Sequence, residues 1–170
     1  MKYLHIKNIS SEDEMIIFGN LVGRILLDCR PEKAKKATLL FFEGELGVGK
    51  TTICKGILNS SGYYGIVKSP TYNLVETYEL ASSRYHHFDF YRLGSPEELD
   101  YIGIRDYFQS GDICLVEWPD RGKGFLPLPD LCLKISAKRN GRELNIESKT
   151  QLGELCLNHL SAAKENQLGL

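Results

Sequence analysis

The chain has 170 residues and a mass of 19.2 kDa, with 42% hydrophobic and 25% charged residues. That is enough for one hydrophobic core, and it excludes a disordered or fibrous chain. Lys plus Arg number 21 and Asp plus Glu 22, for a net charge of −1, which excludes bulk-charge binding of nucleic acid or anionic membrane and leaves room only for a local basic patch.

No apolar run approaches the roughly 18 residues of a spanning helix. The segment Met1 to Asn8 lacks the apolar core of a signal peptide. A cytoplasmic protein without membrane association is expected. The cysteines Cys29, Cys54, Cys114, Cys132 and Cys156 are scattered, with no CxxC pair. That predicts small buried thiols rather than a disulfide framework or a zinc site.

Tyr3 to Ile9 alternates and reads as an edge strand. Ser11 and Glu14 fit a capping box, and Phe18, Leu21, Val22, Ile25 and Leu26 recur at helical spacing, so a helix is predicted from Glu12 to Asp28. Thr38 to Phe42 is a continuous apolar, β-favouring run, the pattern of a strand buried on both faces. A Gly-rich turn at 44–49 and a helix from Lys50 to Asn59 follow it, with Ile53, Ile57 and Leu58 facing inward.

The loop 60–69 has a candidate brief strand at Ile66-Val67. Leu74 to Leu80 and Tyr85 to Leu93 read as a β-pair joined through 81–84, and short helices are predicted near Ser95 to Glu98 and Gly103 to Phe108. Ile113 to Val116 is a second fully apolar strand, ending in Glu117-Trp118. Leu131 to Ala137 and Glu143 to Ser148 form a late antiparallel hairpin around Asn140-Gly141. Thr150 to Leu160 is a last amphipathic helix, and 161–170 is expected to fray. The predicted object is a single α/β domain over 1–160, with a mixed, mostly parallel central sheet and helices on both faces.

Gly44-Glu45-Leu46-Gly47-Val48-Gly49-Lys50-Thr51 fits the phosphate-loop pattern G-x-x-x-x-G-K-[ST], in the strand–turn–helix context that the pattern requires. The amides of Glu45, Leu46, Gly47, Val48 and Gly49, with the helix N-terminus behind them, would offer fixed positive potential to phosphate. Lys50 would neutralise the β- and γ-phosphates, the Thr51 hydroxyl would take one Mg2+ position, and Thr52 could donate to the α-phosphate. A chance glycine turn before a helix is the bland alternative.

A triphosphate site also needs an acidic anchor at the end of an apolar strand beside the loop strand. Glu117 is the best candidate, for the ion or its first water; the alternative is a solvent-facing strand end. Asp89 is the second acid, expected on a strand flanking the loop strand. Period two puts His87, Asp89 and Tyr91 on one face, and an acid in so apolar a strand needs Mg2+, its water or Arg92 as partner. His86 and His87 read as polar strand residues rather than metal ligands. Thr71, in Lys68 to Asn73, could sense Mg2+ and γ-phosphate or position water, or could belong to a plain Ser-Pro turn. Trp118, the only tryptophan, should point away from Glu117; packing, base stacking and partner anchoring all suit it. The Asn-Lys-x-Asp signature of guanine specificity is absent, which favours adenine.

Four ordered blocks resemble the bacterial TsaE (formerly YjeE) family: the loop 44–52; Lys68-Ser69-Pro70-Thr71-Tyr72-Asn73-Leu74-Val75-Glu76; His87-Phe88-Asp89-Phe90-Tyr91-Arg92-Leu93; and Glu117-Trp118-Pro119. The resemblance covers most of the chain. It implies a small P-loop ATPase that binds ATP or ADP with Mg2+ and hydrolyses ATP weakly alone. Such proteins support TsaD and TsaB, with tRNA engaged through that complex, in attaching a threonylcarbamoyl group to adenosine 37 of tRNAs that read codons beginning with A. It further implies that Lys50 is the phosphate lysine, Thr51 the Mg2+ ligand, and Asp89 and Glu117 the functional acids. Thr71 falls in the first switch-like segment. Arg142 matches a late arginine near the nucleotide, and the segment around Ser11 approaches the base. Asp120 departs from the pattern, where Glu is frequent. A small-molecule kinase and a nucleotide-regulated interaction module are the competing classes.

Overall fold

A computed structural model describes residues 2–81, 83–109 and 111–167. Its strands are β1 (Tyr3–Ile9), β2 (Thr38–Glu43), β3 (Val75–Glu79), β4 (Arg84–Asp89), β5 (Ile113–Glu117), β6 (Leu131–Lys138) and β7 (Gly141–Ser148). They form one sheet in the order β1-β7-β6-β2-β5-β4-β3. The centre is parallel, through β6–β2, β2–β5 and β5–β4, whereas β1–β7, β7–β6 and β4–β3 are antiparallel.

The helices are α1 (Glu12–Cys29), α2 (Lys50–Ser60), α3 (Glu98–Tyr101), α4 (Ile104–Gln109) and α5 (Gln151–Gln167). Alternation in the apolar strands divides the core. Leu40, Phe42, Ile113 and Leu115 pack with α1, α2 and α5; Leu39, Phe41, Cys114 and Val116 pack with α3 and α4 on the opposite face. Each fully buried side chain of this kind contributes roughly 1.5–3 kcal/mol over its exposed state, which explains why β2 and β5 are apolar at every interior position.

Ser11 caps α1, its hydroxyl accepting from the Glu14 amide at 3.1 Å. The return arm of the capping box is displaced by one residue, since the Glu14 carboxylate accepts from the Ser10 amide at 2.6 Å. α1 lies tightly on α2. A methyl group at Gly19 would overlap the Ile53 carbonyl oxygen, and one at Gly56 that of Ile16.

Several expectations change. No strand forms at Ile66-Val67, and β4 ends at Asp89 rather than Leu93. Ser82, in the expected connection of the β-pair, lies outside the described residues. α5 continues to Gln167, so 161–167 is helical where fraying was expected, and 168–170 lie outside the described residues. No helix among the described residues is long and apolar enough to cross a membrane.

Candidate nucleotide site

The carboxyl ends of β2, β5 and β4 lie side by side, with Phe42 opposite Glu117 and Glu117 opposite Asp89. Ligands in parallel α/β sheets bind outside these ends. β2 runs directly into the glycine loop. Gly44, Gly47 and Gly49 have φ of 142°, 76° and 112°, in the left-handed region that suits glycine. Gly49 is also the N-cap of α2 and brings no side chain to that end, which leaves the first amides of the helix to an external acceptor.

Lys50 is buried; its ammonium group donates to the carbonyls of Gly44 at 2.8 Å and Glu45 at 2.9 Å, and lies 4.0 Å from the centre of the Trp118 ring. Burial pulls its pKa below the usual lysine value, while Glu117 and Asp89 oppose the shift. Glu45, Leu46 and Gly47 form the exposed crest of the loop, Val48 is buried, and Thr51 and Thr52 are half-buried in the first turn of α2.

The acids occupy one layer. Tyr85, on the α2 face of β4, sets His87 and Asp89 on that face by period two, and Leu115 does the same for Glu117 on β5. Thr51 donates to Glu117 Oε1 at 2.7 Å. The same oxygen lies 2.8 Å from His87 Nε2, with both side chains buried. Asp89 Oδ1 accepts from the Tyr91 amide at 2.9 Å, and Oδ2 accepts from the Ser69 hydroxyl.

Two placements correct the sequence reading. β5 flanks β2, but β4 is one strand further away, so Asp89 reaches the site from the second strand. Ser69 and a main-chain amide satisfy Asp89, whereas Arg92 stacks over Tyr72, 4.6 Å from the ring centre.

Trp118 leaves β5 in the left-handed region, with φ of 58°, and packs with the core on the α3–α4 face, 5.0 Å from the Tyr91 ring. A cavity of ≈ 520 Å³ opens between Trp118 and the loop, lined also by Glu45, Leu46, Tyr91, Asp120 and Lys134. Thr71 lies in the turn closed by the bond from the Leu74 amide to the Pro70 carbonyl at 2.7 Å, and its buried hydroxyl has no partner among the described residues. On the other flank, Arg142 Nε donates to the Val48 carbonyl at 2.7 Å. Ser11 sits one turn before Met15, whose Cε fills the space that a side chain at Gly49 would need.

The sequence reads His87 only as a polar strand residue and gives Ser69 no role beyond a Ser-Pro turn. Period two already placed His87 on the face of Asp89, but its partner became visible only through the β4–β5 register. No local pattern in the sequence joined Ser69 to Asp89.

This donor set fits Mg2+ with a nucleotide phosphate chain. A hydroxyl and a carboxylate meet beside a lysine and a loop of open amides, and hard oxygen ligands suit that ion.

Residues 9–146 match the family model described as threonylcarbamoyl adenosine biosynthesis protein TsaE. A Haemophilus influenzae protein named tRNA threonylcarbamoyladenosine biosynthesis protein TsaE is 44% identical over 146 residues, covering 86% of this chain and 90% of the relative. A Bacillus subtilis protein of the same name is 34% identical over 131 residues, covering 75% and 80%. The crystal structure of Bacillus subtilis YdiB superposes with a TM-score of 0.74 at 28% identity, covering 96% of this chain and 97% of that one. With the family model spanning most of its length and these relatives aligned over most of theirs, the chain belongs to the TsaE family.

Proposed function

We propose that this chain is the Mg2+-dependent ATP-binding and ATP-hydrolysing component that supports TsaD and TsaB in forming N6-threonylcarbamoyladenosine at position 37 of tRNAs reading codons that begin with A. It works in the cytoplasm, and tRNA is engaged through the complex. The observation that carries this reading is the 2.7 Å bond from Thr51 to Glu117 at the mouth of the glycine loop. It joins the helix after the glycine loop to the acid that ends β5, the two elements that a Mg2+–triphosphate site would need. The names of the relatives supply the pathway.

In this reading the loop amides of residues 45–49 and Lys50 bind the phosphates, with Thr52 at the α-phosphate. The Thr51 hydroxyl and Glu117 hold Mg2+, which supplies charge neutralisation to the phosphate chain. Asp89 orients water, and Thr71 reads the γ-phosphate end. Arg142 and Ser11 border the nucleotide on the β7–α1 side. Trp118 presents its ring beside Lys50 to the base or to a partner.

The test supplies the purified TsaD–TsaB pair with ATP, Mg2+ and unmodified tRNA. This protein should raise multiple-turnover modification, and Lys50→Ala should abolish the effect together with most triphosphate affinity. Asp89→Asn should retain nucleotide binding and lose hydrolysis. If the unaltered protein leaves turnover unchanged, the assignment is wrong. If Asp89→Asn supports repeated rounds as well as the unaltered protein, binding alone suffices and the catalytic role of Asp89 is withdrawn.

A further inference from the structure

We propose that His87 is a positioning residue for the acidic site: from Nε2 it fixes the Glu117 carboxylate, so that one oxygen takes the Thr51 hydroxyl and the other is free to serve the magnesium ion. This rests on the nucleotide reading above.

His87 occupies an inward position of β4 with no exposed surface, and Glu117 is 2% exposed. A buried imidazole costs free energy that an aliphatic side chain would avoid, unless its hydrogen bonds compensate. The bond described for the ring is the one to Glu117 Oε1, at 2.8 Å; Nδ1 is buried without a partner among the described residues. Donation from Nε2 leaves Nδ1 as a bare acceptor. The position therefore bears the cost of one unsatisfied nitrogen to deliver one hydrogen bond to the acid.

That bond has a specific effect. A glutamate side chain has three rotatable bonds, and a single bond to Thr51 would leave its carboxylate free to swing. Thr51 from α2 and His87 from β4 both donate to Oε1. Two anchors on one oxygen, from two elements, fix the plane of the group, as supporting hydrogen bonds do for metal-binding carboxylates.

Donor atoms of Cys54, His87 and Glu117 lie within 4.8 Å of one another, a grouping that could also suggest a thiophilic metal. The chemistry opposes it. Glu117 Oε1 is already held by the Thr51 hydroxyl and His87 Nε2, and a hydroxyl and a carboxylate beside a glycine loop suit a hard cation rather than a thiophilic one.

The experiment compares His87→Leu, which keeps bulk without a donor, with His87→Gln, which keeps an N–H donor. Calorimetry with ADP is run across a Mg2+ series and in chelator. His87→Leu should need about ten-fold more Mg2+ for the same ADP occupancy, the effect of about 1.4 kcal/mol from one hydrogen bond to a charged group. Its ADP affinity in chelator should be unchanged, and His87→Gln should recover to within about three-fold. An unaltered Mg2+ requirement in His87→Leu overturns the proposal. So does an equal loss of ADP affinity in chelator, which is the signature of a merely structural role, or a failure of His87→Gln to recover. If the unmutated protein shows no Mg2+ effect on ADP binding, the nucleotide reading falls as well, so the two failures are distinguishable. Should His87→Leu not fold, nitrogen NMR of the unmutated protein decides. Nε2 should carry its proton and shift when Mg2+ joins the ADP complex; a bare or indifferent Nε2 overturns the proposal.

Discussion

The ammonium group of Lys50 lies 4.0 Å from the centre of the Trp118 ring while donating to the carbonyls of Gly44 and Glu45. The phosphate-loop lysine is thus held from above by an aromatic face and from below by its own loop. A cation over tryptophan is worth about 0.5–2 kcal/mol, depending on desolvation. Trp118→Ala should therefore weaken ATP affinity about three- to ten-fold by calorimetry, and Trp118→Phe should lose less because a ring face remains. Equal affinity in all three proteins would show that Trp118 is only a packing residue of the α3–α4 face.

The Thr71 hydroxyl is buried without a partner among the described residues, and an unsatisfied group of this kind costs about 1–3 kcal/mol. Valine has nearly the same shape without the polar atom. Thr71→Val should raise stability by about 1 kcal/mol, or about 2–4 °C in melting temperature for a chain of this size. If Thr71 reads the γ-phosphate, the same variant should lose turnover with TsaD–TsaB. Gained stability with full turnover would return Thr71 to the plain-turn reading.

The strong signals in the sequence were those fixed by short-range physics. The glycine loop has a spacing that only one backbone path satisfies, and the apolar runs of β2 and β5 have only one way to be buried on both faces. The Glu117 position followed, because it ends such a run. What sequence could not supply was order across the sheet. Nothing local says that β4 lies beyond β5, so Asp89 was expected next to β2, and the pairing of His87 with Glu117 depends on that order and register. Of the partners expected for Asp89, Arg92 failed for another reason. Arg92 is the nearest cation in sequence, but Asp89 ends β4 and the chain then turns, so the neighbouring turn supplies Ser69 instead.

His86 gives a pH signature separate from the nucleotide site. Its ring bonds Thr77 at 2.9 Å and Asp112 at 3.0 Å and is nearly buried. Burial lowers its pKa in the folded protein, with Asp112 opposing. A folded pKa below the unfolded value of about 6.5 means that the unfolded chain binds the proton more tightly. The contribution to stability is then complete above the unfolded pKa and is lost as pH falls through the folded one. The urea midpoint should drop between neutral pH and mildly acidic pH, and His86→Gln should flatten that drop. An identical pH slope in the variant would assign the acid sensitivity to other groups.

The contact between α1 and α2 ties stability to the loop, because α2 begins at Lys50. A methyl at Gly56 would overlap the Ile16 carbonyl oxygen, with the Gly19 Cα and the Asn20 amide nitrogen also close. These neighbours are main chain and cannot rotate away. Alanine gains up to about 1 kcal/mol of helix propensity over glycine, but overpacking typically costs about 1–3 kcal/mol, and forcing two backbones apart falls at the upper end. Gly56→Ala should therefore destabilise the protein by about 1–2 kcal/mol net in urea unfolding. Gly19→Ala should do the same, since its methyl meets the Ile53 carbonyl oxygen in the same seam. Once one methyl has separated the helices the second finds space already made, so the double variant should cost clearly less than the sum of the two singles. The shift of α2 should also carry Lys50 and Thr51 away from Glu117, and ADP affinity should fall in parallel with stability. Strict additivity of the two substitutions, or full ADP affinity in the double variant, would show that the seam relaxes locally and leaves the loop in place.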